Sequence, residues 1–297
     1  NSVFTSSDGS YWTELTSSTG WHARTGHTSV VFDGKVWVIG GYYYDGESHY
    51  LNDVWYSSNG VDWTSATLAA PWSGRSRHAS VVYDGKIWVI GGKGYGEWGT
   101  TYYHDVWYSS DGATWAQATP AAPWRPRGGH TALVYDRKIW VFGGGNGNTE
   151  FEDVWYSSDG TSWTQATASV PGNRGWNDTV VFDGKIWLLY RGSTCEELWY
   201  TTNGTSWTQL AQTSQWYPQW YHETIVHDAK IWVIGREVWC SGDGITWEQR
   251  APANPWWLWR WNHASVVHDG KIWILGGAGF GSGEVWSSPD GANWTLR

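Results

Sequence analysis

An all-β fold is what the sequence predicts: a β-propeller of six four-stranded antiparallel blades. Three observations carry this. A phrase of the form Val-Val-(Phe/Tyr)-Asp-Gly-Lys-(Val/Ile)-Trp-Val-Ile-Gly-Gly recurs, with its turn aspartate at Asp33, Asp84, Asp136, Asp183, Asp228 and Asp269. A second phrase, Asp-Val-Trp-Tyr-Ser-Ser-Asp-Gly-x-x-Trp-Thr, follows each copy. No stretch has helical periodicity. A spacing of 41 to 52 residues marks an array of small supersecondary units.

Each unit reads as two hairpins. The first alternates with period two and is rich in β-branched and aromatic residues. Asp-Gly, as at Asp33-Gly34 and Asp269-Gly270, is a strong signal for a two-residue hairpin turn. In repeat one this hairpin runs His27 to Gly41 and supplies strands a and b. The second runs Asp53 to Thr67, turns at Ser58-Asn59-Gly60 and supplies strands c and d. Four strands per unit make one propeller blade, and radial closure leaves only short sheet edges. The expected organisation is one domain over 1–297 with repeats at about 21–67, 72–119, 124–167, 171–211, 216–250 and 257–297. An extra c–d-like hairpin at 3–15 either completes closure or lies outside the ring; a seventh, incomplete blade is the alternative.

These phrases resemble the Kelch-repeat propellers. Gly-Gly ends strand b at Gly40-Gly41, Gly91-Gly92, Gly143-Gly144 and Gly276-Gly277. Arg-x-x-His precedes strand a at Arg24/His27, Arg75/His78, Arg127/His130 and Arg260/His263. The c–d turn looks like a shortened Asp-box of the sialidase propellers, where aspartate hydrogen-bonds its own turn. The resemblance implies the fold, and it leaves activity open because propellers host many functions.

Composition narrows the function classes. The net charge of −9 argues against nucleic-acid and membrane-surface partners. No run of about 18 apolar residues is present to form a membrane-spanning helix. Met is absent, at position 1 as elsewhere, which is read as processing of a secreted, extracellular protein. Cys195 and Cys240 lack metal-motif spacing, so a disulfide and two free thiols are both open. No cofactor or metal is expected. A ring holding one histidine per blade is too wide to ligate a single ion.

The 30 tryptophans sort by repeat position. Six fall in strand b, six in strand c and seven in strand d, where they are expected to pack between blades. The other eleven (Trp21, Trp72, Trp98, Trp124, Trp176, Trp216, Trp220, Trp256, Trp257, Trp259 and Trp261) fall in d–a and b–c connections, which emerge on one face. Trp21, Trp72, Trp124, Trp216 and Trp257 share a repeat position, and either cap the core or present a binding surface. Arg24, Arg75, Arg127, Arg174 and Arg260 are expected to pair with the acids before strand c (Asp53, Asp105, Asp153, Glu197, Glu237 and Glu284). His27, His78, His130, His222 and His263 are expected to fix the repeat by hydrogen bonds.

Repeats four to six break the pattern on this same face. Gly-Gly becomes Tyr190-Arg191 and then Gly235-Arg236, and the residue after the strand-a His becomes Asp178 and Glu223. The b–c connection spans Tyr42–Asn52 and Lys93–His104 in repeats one and two, but vanishes in repeat five. A Tyr-rich wall over blades one and two and a low opening over blades four and five follow. Rule-breaking of this kind concentrates at functional sites.

Three functions compete. A secreted lectin-like propeller would bind an acidic or sulfated glycan, or another small acidic ligand, through Trp176, Tyr190, Arg191, Trp216, Trp220, Tyr221, Arg236, Trp257, Trp259 and Trp261. Aromatic faces stack on sugars, and Arg forks pair with oxyanions. A glycosidase or lyase would use Asp178, Glu223 and Tyr190 as catalysts. The Arg triad and Phe-Arg-Ile-Pro stretch of sialidases are missing, as is the Cys, Tyr and His set of Kelch-like copper oxidases. A protein-interaction module or self-assembling scaffold would use the exposed aromatics as an interface.

Overall fold

A computed structural model describes residues 3–5, 13–16, 20–97, 99–170, 178–191, 196–210, 223–235, 237–251, 264–268, 270–275 and 285–296. All its regular structure is β. A short hairpin pairs β1 (Val3–Thr5) with β2 (Thr13–Thr16). Six four-stranded antiparallel sheets follow, each in the sequential order a-b-c-d. The first is β3 (Thr28–Phe32), β4 (Lys35–Tyr44), β5 (Ser48–Ser57) and β6 (Thr64–Thr67). The second is β7 (Ala79–Tyr83), β8 (Lys86–Gly96), β9 (Gly99–Ser109) and β10 (Ala116–Thr119). The third is β11 (Thr131–Tyr135), β12 (Lys138–Phe142), β13 (Val154–Ser157) and β14 (Thr164–Thr167). The fourth is β15 (Asp178–Phe182), β16 (Lys185–Arg191), β17 (Glu196–Thr201) and β18 (Thr208–Gln209). The fifth is β19 (Glu223–His227), β20 (Lys230–Ile234), β21 (Val238–Ser241) and β22 (Glu248–Ala251). The sixth is β23 (Ala264–His268), β24 (Lys271–Leu275), β25 (Val285–Ser288) and β26 (Thr295–Leu296). Sheets one to three fall in one compact unit and sheets four to six in another. Within each unit, neighbouring blades touch through their first strands: β3 with β7 and β7 with β11, then β15 with β19 and β19 with β23.

The turns form as their residues dictate. Asp33 and Gly34 both have positive φ, 50° and 67°, the two-residue geometry whose twist matches the flanking strands. Arg137 and Ala229 take the second position of the same turn at φ 53° and 50°, a conformation that glycine adopts without strain. The c–d turn is held by its own side chains. In blade two the Ser109 hydroxyl accepts from the Gly112 amide (2.7 Å), and the Asp111 carboxylate accepts from the Ala113 (2.9 Å) and Thr114 (2.7 Å) amides. Ser157/Asp159, Thr201/Asn203, Ser241/Asp243 and Ser288/Asp290 repeat the device.

Strand-b tryptophans fill the seams between blades. Trp37, Ile39 and Val54 of blade one pack with Trp72, Ile87, Val89 and Trp115 in one buried cluster. Trp88, Ile90 and Val106 pack with Trp124, Ile139, Val141 and Trp155 in the next. In the second unit, Trp187 and Leu189 meet Ile231, Val233 and Trp247, and Trp232 and Ile234 meet Ile272 and Ile274. Cys240 belongs to the latter cluster as a free, buried thiol, so it forms no disulfide. The turn glycine of one blade lies against the strand-b tryptophan of the blade before it. A Cβ on Gly112 would stand 2.0 Å from the Trp37 ring, and one on Gly160 2.0 Å from Trp88.

Gly-Gly does not end strand b in blades one and two. It makes a bulge, with the ladder register shifting between Ile39 and Gly41, and the strands then run on to pair Tyr42 with Tyr50 and Tyr43 with His49. The amide of Gly41 (φ 109°) donates to the Arg75 carbonyl of the next blade at 2.8 Å, and a side chain there would strike His27. The connections expected as loops are therefore mostly strand, because the alternating tyrosines favour a pleated ladder.

Candidate ligand-binding site

The Arg-x-x-His arrays prove to be internal bracing. Arg75 is fully buried and forks onto Asp105 (2.8 Å to each oxygen), donating also to the Gly91 carbonyl at 2.9 Å. Arg127 grips Asp153 (2.6 and 2.8 Å) and Arg24 grips Asp53 (2.6 and 2.8 Å) in the same way. The strand-c tryptophan completes each set, as Trp107 Nε1 donates to Asp105 at 2.7 Å. Such charge-assisted forks leave these arginines no spare capacity for a ligand. Trp72 and Trp124 are likewise buried, edge-on to Trp115 and Trp163. They cap the core rather than a ligand.

The histidines divide. His78 Nε2 lies 2.8 Å from Thr28 Oγ1 of the blade before, a repeat-fixing bond as expected. His130 is buried, and its ring finds only a weak backbone contact at Ile90. Burial first, and then the Arg127 charge, pushes its pKa down to about 3, so it is neutral and acts as packing.

What remains accessible in the first unit lies beyond the bulges. Tyr43 stacks between His22 and His49, with ring centroids 4.5 Å from each. Tyr42 and Tyr50 sit 5.0 Å apart, and Tyr44 and Tyr95 stand in solvent at 67% and 66% exposure. Behind these rings the Arg-x-x-His strap pairs with the extended strand b: Ser76 exchanges both backbone hydrogen bonds with Lys93, at 2.8 and 2.9 Å. Arg77 follows, exposed and left-handed at φ 53°. Its amide donates to Gly26 O and its carbonyl accepts from Gly129 N, each at 2.8 Å, so it is stitched to both neighbouring blades.

In the second unit, Asp178 and Glu223 begin the adjacent inner strands β15 and β19. They hold the position of Thr28, whose hydroxyl bonds Ser80 Oγ of the next blade at 2.6 Å. Asp178 keeps that link, since Thr224 Oγ1 donates to its carboxylate at 3.0 Å. Burial, and then the Asp178 charge, raises the Glu223 pKa to about 8, so at neutral pH it is chiefly the protonated acid. Ser265, the counterpart of Ser80 for Glu223, has a buried hydroxyl with no hydrogen-bond partner. A carboxyl held protonated beside a second carboxyl is an arrangement able to donate and accept protons.

Comparison with known proteins agrees with this architecture. The Kelch motif matches residues 23–56 and 126–166. A solved structure titled "Structure of YjhT" superposes with a TM-score of 0.68 at 14% identity, covering 95% of this chain and 99% of that one. The chain has the β-propeller fold and carries Kelch motifs in its first and third blades.

Of the site residues expected on this propeller, Trp176, Trp216, Trp220, Tyr221, Arg236, Trp257, Trp259 and Trp261 lie outside the described residues. Tyr190 and Arg191 are placed by backbone alone. They continue β16 in unbroken register opposite Glu197 and Glu196, so blade four has a straight ladder where blades one and two bulge. Asp178 and Glu223 are brought together as expected. The residues passed over in the sequence are Lys93 and Arg77. Two signals mark them there. Lys93 is the one lysine of seven that does not follow an a–b turn, and Arg77 replaces the glycine found at Gly26 and Gly129.

Proposed function

We propose that this propeller is a carbohydrate-binding module that takes acidic or sulfated glycans on the face where the b–c and d–a connections emerge. The observation carrying the reading is the paired extension of strands b and c beyond the bulge in blades one and two. It presents Tyr42, Tyr43, Tyr44, His49, Tyr50 and Tyr95, where the fold itself needs no aromatic side chain. Accessible rings beside a few polar groups are the usual make-up of a small-ligand surface. The burial of Arg24, Arg75, Arg127, Trp72 and Trp124 supports the same assignment by turning those residues over to bracing.

The test is an array of neutral, uronic, sialylated and sulfated glycans, scored for retention and for change in mass. Retention of intact acidic glycans is expected. Removing both exposed rings (Tyr44→Ala with Tyr95→Ala) should weaken it about tenfold, equivalent to roughly 1.4 kcal/mol. Undiminished retention by that double variant overturns the aromatic platform. Retention of no glycan overturns the carbohydrate reading and favours a protein partner. A second reading, a carbohydrate-active enzyme, draws on the Asp178–Glu223 pair, and shortened or unsaturated products on the same array would establish it in place of the binder.

A further inference from the structure

We propose that Arg77 and Lys93, with the phenols of Tyr42, Tyr50 and Tyr102 around them, form an oxyanion-binding site at the seam of blades one and two. It takes the carboxylate or sulfate group of the ligand. The inference rests on the glycan reading for the identity of the ligand, but the site itself is argued from four features of the first unit.

The first is charge without compensation. Lys35, Lys86, Lys138 and Lys185 each lie within 3.6 Å of a turn aspartate. Lys93 has no such ion pair among the described residues, although the protein carries a net charge of −9. The second is placement. The Ser76–Lys93 bridge sets Arg77 beside Lys93, and the ladder pairs Lys93 with Tyr102 across the strand, as Tyr42 pairs with Tyr50 in blade one. The third is desolvation. Half-burial and then the Arg77 charge lower the Lys93 pKa; burial and then Tyr42 raise that of Tyr50. Two cations sharing a partly dry site repel, and an oxyanion between them relieves this while accepting from both and from tyrosine hydroxyls.

The fourth feature is strain. Arg77 occupies φ 53°, where blades one and three use Gly26 (φ 63°) and Gly129 (φ 69°). Arg137 and Ala229 carry the same left-handed strain in the a–b turns, but Arg77 carries it beside Lys93 on the accessible side of the bulge, where strain tends to gather at ligand sites.

This makes Arg77→Gly a discriminating variant, since the neighbouring blades fold with glycine at that position. The measurement is calorimetric titration of wild type, Arg77→Gly and Lys93→Gln with methyl glucuronoside, galactose 6-sulfate, methyl galactoside and sodium sulfate. The expected result is at least a tenfold loss of affinity for the acidic sugars in both variants, with thermal stability of Arg77→Gly equal to or above wild type. The preferred acidic sugar distinguishes carboxylate from sulfate as the natural group. Acidic sugars bound equally by wild type and both variants overturn the site while leaving the glycan reading intact. Binding of sodium sulfate that both variants lose, with no sugar bound, upholds the site and overturns the glycan reading. Binding of none of the four probes overturns the site.

Discussion

Among the described residues Glu223 has an unusual electrostatic setting. Its carboxyl is half-buried, faces Asp178 and titrates near pH 8, against an ordinary value of 4.5. Between those values the folded state holds a proton that the unfolded chain has released. Stability is therefore greatest below about pH 4.5 as far as this group is concerned, falls as pH rises, and stops falling above about pH 8. Glu223→Gln keeps the shape and removes the titration. Thermal midpoints measured from about pH 5, just above the lower value, to about pH 9, above the higher one, should show the variant gaining on wild type as pH rises. A constant difference between the two across that range would mean that Glu223 is ionised throughout. The position of this acid is legible in the sequence, because six near-copies expose a substitution at once. The protonation state is not legible there, because it depends on Asp178 arriving from a strand 45 residues earlier.

At the scale of the element, the turns were legible and the ends of the strands were not. Asp-Gly and Ser-x-Asp-Gly act through bonds within three residues, so the sequence alone specifies them. Gly40-Gly41 reads as a stop because glycine weakens strands, yet tertiary contacts use it as a bulge whose amide serves the next blade. The c–d turn carries a second message that no local rule contains. Gly112 is needed for its φ of 74° and also because the Trp37 ring of the preceding blade lies where a Cβ would be. Gly112→Ala should thus destabilise through two causes. Overpacking alone costs about 1–3 kcal/mol. Gly34→Ala, with nothing within 4 Å, should suffer only the turn strain. Denaturant midpoints of the two variants check this: equal losses would show that the Trp37 contact yields freely.

For the whole molecule the question is how a protein of net charge −9 could hold an acidic ligand. Its charges are sorted by face. Lys35, Lys86, Lys138 and Lys185 sit beside the aspartates of their own turns, and Arg24, Arg75 and Arg127 are paired with Asp53, Asp105 and Asp153 inside the blades. In the first unit Lys93 lies close to Arg77, against a repulsive net charge. Screening then acts on two opposed terms of different range. The Debye length shrinks from about 10 Å at 0.1 M salt to about 3 Å at 1 M. Modest salt removes the long-range repulsion first, and higher salt weakens the contact pair itself. Acidic-sugar affinity should therefore fall much less steeply at low salt than it would for a uniformly basic lectin, and then drop as salt approaches 1 M. Neutral-sugar affinity should stay level. A titration series in sodium chloride checks this. A steep loss beginning at the lowest salt would mean that attraction reaches the ligand from far beyond these two residues, and that the masked balance of charge between faces is not what governs binding.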